Sequence, residues 1–179
     1  RVAGDPRYNE RNTTRSPMTT ELDWVLQTIW EAWPGTFPED LTRVDRDESK
    51  LLEGDIRKRH GDLKRSNFVG ATHVGTAKEP IGTEYDYKIE TTIGIRIEGL
   101  HVDQFGHVDP SGAERIPWQE LTNNIERGLL SRRSYPDVGA PNRSYHTLRT
   151  ANESDQSHDW ADAFRRDFDL LLIGYETLP

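Results

Sequence analysis

A run of alternating residues in the middle of the chain constrains the fold more than any other feature. From Tyr85 to Ile97, every second side chain is tyrosine, isoleucine or threonine, and the residues between them are mostly polar or charged. This period of two predicts a β-strand with one buried face. At ~3.3 Å per residue the strand would span roughly 45 Å, more than a domain of this size needs for its own core. We therefore expect it to continue into a hairpin arm or into a sheet shared between subunits.

Two other segments carry the apolar period of an α-helix. Over Glu21–Trp33, apolar residues recur three and four positions apart, Thr20 offers an N-cap hydroxyl, and Pro34 ends the pattern. The second helix is predicted over Trp118–Leu130, with Pro117 near its first turn. Both stripes are narrow, which predicts helices that each bury one face.

Shorter patterns predict the remaining strands, and the polar stretch at 151–159 is predicted to be a turn. The last strand is apolar on both faces in its second half, so we expect it to be central in the sheet or covered by a partner. This order of elements predicts the α+β class, with two helices packed on one face of a mostly antiparallel sheet. The shorter strands are Leu41–Val44, Phe68–Val74, Tyr145–Arg149 and Phe164–Tyr175.

Composition divides the chain into an arm and a domain. Residues 1–20 are polar and lack an apolar period, which predicts an extended N-terminal arm. Residues 21–179 are predicted to form a single α+β domain, in which the mixed charges of residues 45–66 indicate a solvated insertion. Only 33% of the residues are apolar. The core is therefore thin, and burial in an assembly would stabilise it.

The charge balance resembles that of proteins from extreme halophiles, although an ordinary acidic cytosolic domain is the alternative. Asp+Glu is 31 against Lys+Arg 23, the net charge is -8, and only five of the cationic residues are lysines. Carboxylates keep a protein hydrated at high salt. This acidity argues against a general nucleic-acid binder, and no apolar run approaches the ~20 residues of a membrane helix. Without cysteine there is no disulfide scaffold, thiolate metal site or cysteine nucleophile.

The sequence carries no catalytic or nucleotide-binding motif. It has no glycine-rich phosphate loop, no dinucleotide fingerprint and no H-E-x-x-H helix. Ser157, His158 and Asp159 are the residue types of a hydrolase triad, but neighbours in a chain point apart, whereas triads are assembled from distant positions. We therefore expect no enzymatic activity and no cofactor.

A doubled His-Val-Asp motif is the best candidate for a metal site. Alternate residues of a strand share a face, so each copy could offer two ligands across a turn. The four ligands would be His101, Asp103, His107 and Asp109. Their spacing matches no established ligand pattern, and we favour the interpretation that they are polar loop residues on either side of Phe105.

Three features of the chain match one known family. They are the opening amphipathic helix, a Y-x-Y-x-I-x-x-x-I-x-I strand that begins at Tyr85, and the helix Trp118–Leu130 followed by terminal strands. Over about residues 20–178 the chain resembles the tail terminator, or tail completion, proteins of long-tailed viruses. The resemblance implies a homohexameric ring at the head-proximal end of the tail tube. Such a ring ends tube polymerisation and joins the tail-tube protein to the neck or connector.

The resemblance also implies a location and a set of partners. The protein would be a structural part of the virion, assembled in the cytoplasm of a halophilic archaeal host, and it would not bind a membrane. DNA would pass through the ring lumen without sequence-specific binding. No residue would be catalytic. Large aromatic side chains concentrate at interface hot spots. On that basis the candidate interface residues are Tyr8, Trp24, Tyr85, Tyr87 and Phe105.

Other functions stay open on the sequence. The chain fits another virion part, such as a neck component or a tail-tube subunit, although a tube subunit would carry more strands and less helix. A different class is a small halophilic α+β enzyme or ligand-binding domain that uses the His101–Asp109 region, which predicts a pocket with perturbed titratable groups. A third is an antitoxin-like or regulatory partner protein, for which acidity is the cue.

Overall fold

The described part of the chain forms two α-helices, a five-stranded sheet and a two-stranded sheet. The computed structural model describes residues 19–32, 42–44, 68–82, 85–100, 106–108, 115–131, 138–155 and 163–178. The predicted insertion and all but the last two residues of the predicted arm lie outside these ranges. In chain order the elements are α1 (Glu21–Ala32), β1 (Thr42–Val44), β2 (Phe68–Pro80), β3 (Asp86–Leu100), β4 (His107–Val108), β5 (Ile116–Pro117), α2 (Trp118–Leu130), β6 (Arg143–Asp155) and β7 (Ala163–Thr177).

The large sheet has the strand order β1-β2-β3-β7-β6 and is antiparallel except at β1, which runs parallel to β2. The last strand, β7, is central, as its two apolar faces predict. Of the two expectations for the long strand, the arm that leaves the sheet is wrong, whereas a sheet shared between subunits stays a prediction. β3 pairs with β7 along its whole length, from Asp86 opposite Thr177 to Leu100 opposite Ala163, and with β2 on its other side. Both edges of β3 are therefore paired with strands of the same chain.

Both helices pack on one face of this sheet, termed the core face, which confirms the predicted α+β class. The odd-numbered isoleucines of β3 and the even-numbered apolar residues of β7 share the core face. Ile93 pairs with Leu170, and Ile95 pairs with Phe168. Single buried stripes of α1 and α2 cover them. The helical members of this core are Leu22, Val25, Leu26, Ile29, Trp118, Leu121, Ile125 and Leu129. No helix within the described ranges is long and apolar enough to cross a membrane.

Helix α1 begins at a reciprocal cap. The Thr20 hydroxyl accepts a hydrogen bond from the Asp23 backbone N–H at 3.1 Å and donates to Asp23 Oδ2 at 2.7 Å. The Trp24 N–H donates to the Thr20 carbonyl at 3.0 Å, which starts the helical ladder. The predicted N-cap is confirmed. It fixes the backbone at the start of α1 and therefore the direction of the Glu21 side chain, which follows it.

Two strands are longer than their sequence patterns predict, and bulges explain both. β2 continues to Pro80 past a register shift between His73 and Gly75, close to where the predicted strand ends. β6 extends to Asp155 through shifts at Tyr145/Thr147 and Ala151/Ser154, so the turn predicted at 151–159 is wrong for residues 151–155. A bulge changes the parity of the side chains and so ends the visible alternation, while the backbone pairing continues.

The first β6 bulge leaves no room for a side chain at Gly174 in β7. A Cβ built on Gly174 would overlap the Ser144 carbonyl oxygen and would lie 2.8 Å from Tyr145 Cα. Both neighbours are backbone atoms, so they cannot turn aside as a side chain would. Glycine at this position therefore lets β6 and β7 stay paired across the bulge.

We expect Gly174→Ala to lower the free energy of unfolding by about 1–3 kcal/mol, because the added methyl group forces the two strands apart. Denaturant unfolding at constant salt measures the change. Gly75→Ala is the matched control, since a Cβ there meets no atom of the described residues within 4 Å. Equal effects of the two substitutions would show that the close approach at Gly174 is not what the sheet depends on.

Candidate functional site

Charged side chains from four elements form a continuous ion network on the core face of the sheet. Lys78 Nζ of β2 lies 2.6 Å from Glu176 Oε2 of β7. Arg143 of β6 bridges this pair to α1, with its Nε 3.5 Å from Glu176 Oε1 and its Nη1 2.9 Å from Glu21 Oε1. Positive and negative groups alternate along the ion network, so each charge lies beside an opposite one.

The two carboxylates of the ion network are buried, whereas Lys78 is 38% exposed, and the network continues into a chain of hydroxyl groups. The carboxylate-bearing side chains of Glu21 and Glu176 are 10% and 5% exposed. The Tyr145 hydroxyl donates to Glu21 Oε1 at 2.7 Å. Its oxygen lies 3.0 Å from Thr91 Oγ1, which is itself 3.0 Å from Thr76 Oγ1. Because the one proton of Tyr145 is directed at Glu21, Thr91 is the donor to Tyr145.

Sheet register brings these groups together. Lys78 pairs with Ile89, Ile89 with Gly174 and Gly174 with Tyr145, so the four residues stand in one row across the sheet. The Tyr145 side chain crosses β7 at Gly174, which has no side chain of its own, and reaches Thr91 in β3 on the far side of β7.

The protonation states of the ion network follow from its contacts. Burial raises the pKa of Glu21, but hydrogen bonds from Tyr145, from its own backbone N–H and from Arg143 outweigh burial, and the net pKa is lowered. Burial likewise raises the pKa of Glu176, and contacts with Lys78 and Arg143 lower it overall. Burial and donation to Glu21 raise the pKa of Tyr145 to about 12. These shifts favour charged carboxylates and a neutral tyrosine.

Chemically, this arrangement suits holding elements together. Perturbed pKa values also mark catalytic centres, but in the ion network each group is already bonded to a neighbour of opposite charge or complementary hydrogen bonding. Glu21 is the first residue of α1, where a carboxylate also interacts favourably with the helix dipole. The ion network therefore ties the start of α1 to three strands of the sheet.

The same end of the sheet presents large apolar side chains to solvent. Ile81, Tyr85 and Tyr175, termed the hairpin-end surface, are 42%, 57% and 50% exposed. Their backbone is held in place, since the Leu178 N–H donates to the Tyr85 carbonyl at 2.7 Å and the Ile81 N–H to the Asp86 carbonyl at 2.8 Å. The Tyr175 ring also packs on His146, with 4.9 Å between the ring centroids. Contiguous exposed apolar residues mark interaction surfaces, and these three residues are candidates for one.

The structure places three of the five predicted interface residues. Tyr85 belongs to the hairpin-end surface. Tyr87 and Trp24 are half-buried and pack against the core, so most of their area is used within the chain. Tyr8 and Phe105 lie outside the described residues.

The predicted metal ligands fall mostly outside the described part of the chain. His107 is in β4, where it pairs with Pro117. His101, Asp103 and Asp109 are not among the described residues. Within the described ranges, no group of three or more histidine, aspartate or glutamate side chains is placed to hold a metal ion.

Sequence reasoning missed the ion network. A carboxylate at position 176 has the same parity as the buried residues Phe168, Leu170 and Leu172, and that coincidence was the available signal for a buried charge. The partners could not be inferred, because Arg143 and Glu21 are separated by 122 positions and meet only through the docking of α1 on β6.

Comparisons with known proteins do not identify the chain. No protein-family model matches it, and no curated protein does.

The raised pKa of Tyr145 predicts a loss of stability at high pH. Its folded value of about 12 lies above the ordinary 10.0, so its contribution is complete below pH 10 and is lost as the pH rises towards 12. We expect the free energy of unfolding to fall in this interval by up to about 3 kcal/mol. Urea unfolding at fixed salt measures it. Tyr145→Phe is the comparison, since all other tyrosines titrate in both proteins; an identical fall in the variant would contradict the assignment.

The lowered pKa of Glu21 predicts a complementary loss of stability in acid. Its contribution is complete above the ordinary value of 4.5 and is lost as the pH falls through the lower folded value. We expect Glu21→Gln to cost about 1–3 kcal/mol at pH 7 and progressively less below pH 4.5. Glu90→Gln is the matched control: its partner Arg149 is 59% exposed, and such surface pairs contribute less than about 1 kcal/mol. A Glu21→Gln effect independent of pH would refute the role of this charge.

Proposed function

We propose that the chain is the subunit of a homohexameric ring at the head-proximal end of a viral tail tube. The ring ends polymerisation of the tail-tube protein and binds the neck or connector on its other side. The α+β architecture, with both described helices on one face of a mostly antiparallel sheet, is compatible with the tail-terminator resemblance of the sequence. The acidic, lysine-poor composition supports a virus of a halophilic archaeon.

The observation that carries the proposal is the hairpin-end surface. In a chain with only 33% apolar residues, Ile81, Tyr85 and Tyr175 remain exposed although the core could have used them. Tyrosines on a rigid backbone lose little conformational entropy when they are buried by a partner. They supply the central contacts that an interface needs.

Ring closure places a simple demand on this surface. Neighbouring subunits of a ring meet through two different patches, one on each side of the subunit. The hairpin-end surface lies at one end of the sheet and supplies one of these patches, and a neighbouring subunit covers it. Burial of apolar area between subunits then adds stability that a thin core lacks.

The net charge supports passage of DNA through the ring. A chain charge of -8 is multiplied in a hexamer, and an acidic lumen repels phosphate groups. DNA then slides through the lumen without being held.

Native mass in multi-molar salt tests the proposal. We expect a particle of six chains with an open lumen in electron micrographs. Tyr85→Ser is expected to shift the population towards monomers at least about tenfold, because it removes a central apolar contact. Leu130→Ser is the matched control, since Leu130 is 40% exposed at the end of α2, away from the hairpin-end surface.

Two outcomes would overturn the proposal. One is a stable wild-type monomer, and such a monomer that gains thermal stability from zinc or manganese would favour a ligand-binding domain built on His101–Asp109. The other is a ring that Leu130→Ser weakens as much as Tyr85→Ser, which would remove the role of the hairpin-end surface.

A further inference from the structure

A shallow depression of about 180 Å³ lies on the face of the sheet opposite α1 and α2. Its lining includes Thr72, Val74, Gly94, Arg96, Asn152 and Asp169. It is termed the outer depression. Register places it across β2, β3 and β7, because Thr72 pairs with Gly94 and Gly94 with Asp169. At ~30 Å³ per water its volume corresponds to about six water molecules, enough for a small polar group.

Two buried polar atoms at the outer depression lack partners. Arg96 is 9% exposed, and Asp167 binds its Nε at 3.1 Å and its Nη2 at 3.3 Å. Among the described residues, nothing accepts a hydrogen bond from the third nitrogen, Nη1, and the Oγ1 of Thr72, 6% exposed, has no partner either. Buried polar groups are nearly always paired, so both atoms point to a missing ligand.

A residue with positive φ and a carboxylate oxygen lie on the side of the outer depression that faces β6 and β7. Asn152 is the one non-glycine residue with positive φ in the described ranges, at 52°. This conformation lets its Nδ2 donate to Asp169 Oδ2 at 2.7 Å. The structure gives the other oxygen, Asp169 Oδ1, no partner among the described residues, and it lies 3.5 Å from the position of a Cβ built on Gly94. The positive φ belongs to the second β6 bulge, and asparagine adopts this conformation more readily than most residues.

Gly94 keeps the outer depression open. A Cβ there would lie 3.3 Å from Val74 Cγ2 and 3.4 Å from Thr72 Cγ2, so any side chain would fill the space. Val74 stands at the rim and is 63% exposed, the most exposed of the large apolar side chains described. Arg96 Nη1 and Thr72 Oγ1 are shielded from solvent, so a ligand reaches them only when side chains that line the outer depression rearrange.

The charges around the outer depression favour a neutral ligand. Asp167 is shared by Arg96 and by Arg165, whose Nη2 lies 2.7 Å from Asp167 Oδ2. With Asp169 this makes two cations and two anions, so neither an anion nor a cation is favoured as a whole. Two groups lack a hydrogen-bond partner among the described residues: the donor Arg96 Nη1 and the charged acceptor Asp169 Oδ1.

We propose that the outer depression binds a primary carboxamide. The carbonyl oxygen of the ligand accepts a hydrogen bond from Arg96 Nη1, and its NH2 group donates to Asp169 Oδ1. The Thr72 hydroxyl adds a donor to the same carbonyl. A carboxamide reaches this site as a free small molecule or as an asparagine or glutamine side chain of a second copy of the chain.

Three probes of one shape test the ligand chemistry: acetamide, acetate and acetamidinium are neutral, anionic and cationic. Backbone NMR resonances of Gly94, Asn152 and Asp169 report on binding. We expect acetamide to shift them saturably, with the two ions at least about tenfold weaker, since each lacks either the donor or the acceptor. Binding of acetate or acetamidinium as tightly as acetamide would overturn the proposal.

Variants locate the binding in the outer depression. Gly94→Ala fills it with a methyl group whose neighbours are side chains that can adjust, and Thr72→Val removes a hydroxyl that has no hydrogen-bond partner among the described residues. Both are expected to stay folded and to weaken acetamide binding at least about tenfold. Gly75 lies in β2, as Thr72 does, and a Cβ there meets no atom of the described residues within 4 Å. Gly75→Ala is therefore expected to bind acetamide as the wild type does. Unchanged binding by Gly94→Ala would refute the assignment.

A dilution series distinguishes the two sources of the carboxamide. If a second copy supplies it, the same resonances shift with protein concentration and acetamide releases this contact between copies of the chain. If the ligand is a small molecule, acetamide shifts them equally at every protein concentration. Resonances that respond to neither acetamide nor protein concentration would overturn the proposal.

Discussion

The ion pair between Glu21 and Arg143 is the contact on which the arrangement of the chain depends. It joins the first residue of α1 to the start of β6, 122 positions away, and it is extended to β7 and β2 through Glu176 and Lys78. The two carboxylates are almost fully withdrawn from water, at 10% and 5% exposed, so removal of Arg143 leaves them buried with less compensation. The contact therefore holds α1 on the sheet at one specific end, and the buried stripe of α1 follows from that position.

A second polar cluster ties the other helix to the sheet in the same manner. Arg166 of β7 contacts Glu126 of α2 at 3.0 Å and Glu153 of β6 at 3.1 Å, and it reaches Thr122 of α2 at 3.2 Å. A chain with 33% apolar residues has little hydrophobic area with which to attach helices, and ion pairs between elements supplement it. Pairs that are shielded from solvent, such as Arg166 with Glu126, are screened less by salt than exposed pairs.

The elements with uninterrupted periodicity could be predicted from the sequence. The strand around Tyr85–Ile97, the helices from Glu21 and from Trp118, and a central last strand are all found in the structure, since each pattern spans enough residues to be unambiguous. β2 and β6 were predicted too short because their bulges change side-chain parity. The predicted arm of β3 was wrong because strand length alone does not reveal the strands that pair with it; β2 and β7 are long enough to cover it.

The sequence by itself determined the α+β class, the apolar faces of α1, α2 and β3, and the acidic character of the surface, because these depend on local order and on composition. Only the tertiary structure decided where the polar groups meet. The ion network and the outer depression each combine residues from at least three elements, and their positions depend on sheet register and on side-chain space above glycines. A one-residue shift of register would turn Glu176 and Asp169 to the opposite faces of the sheet, which is why no local pattern could assign their partners.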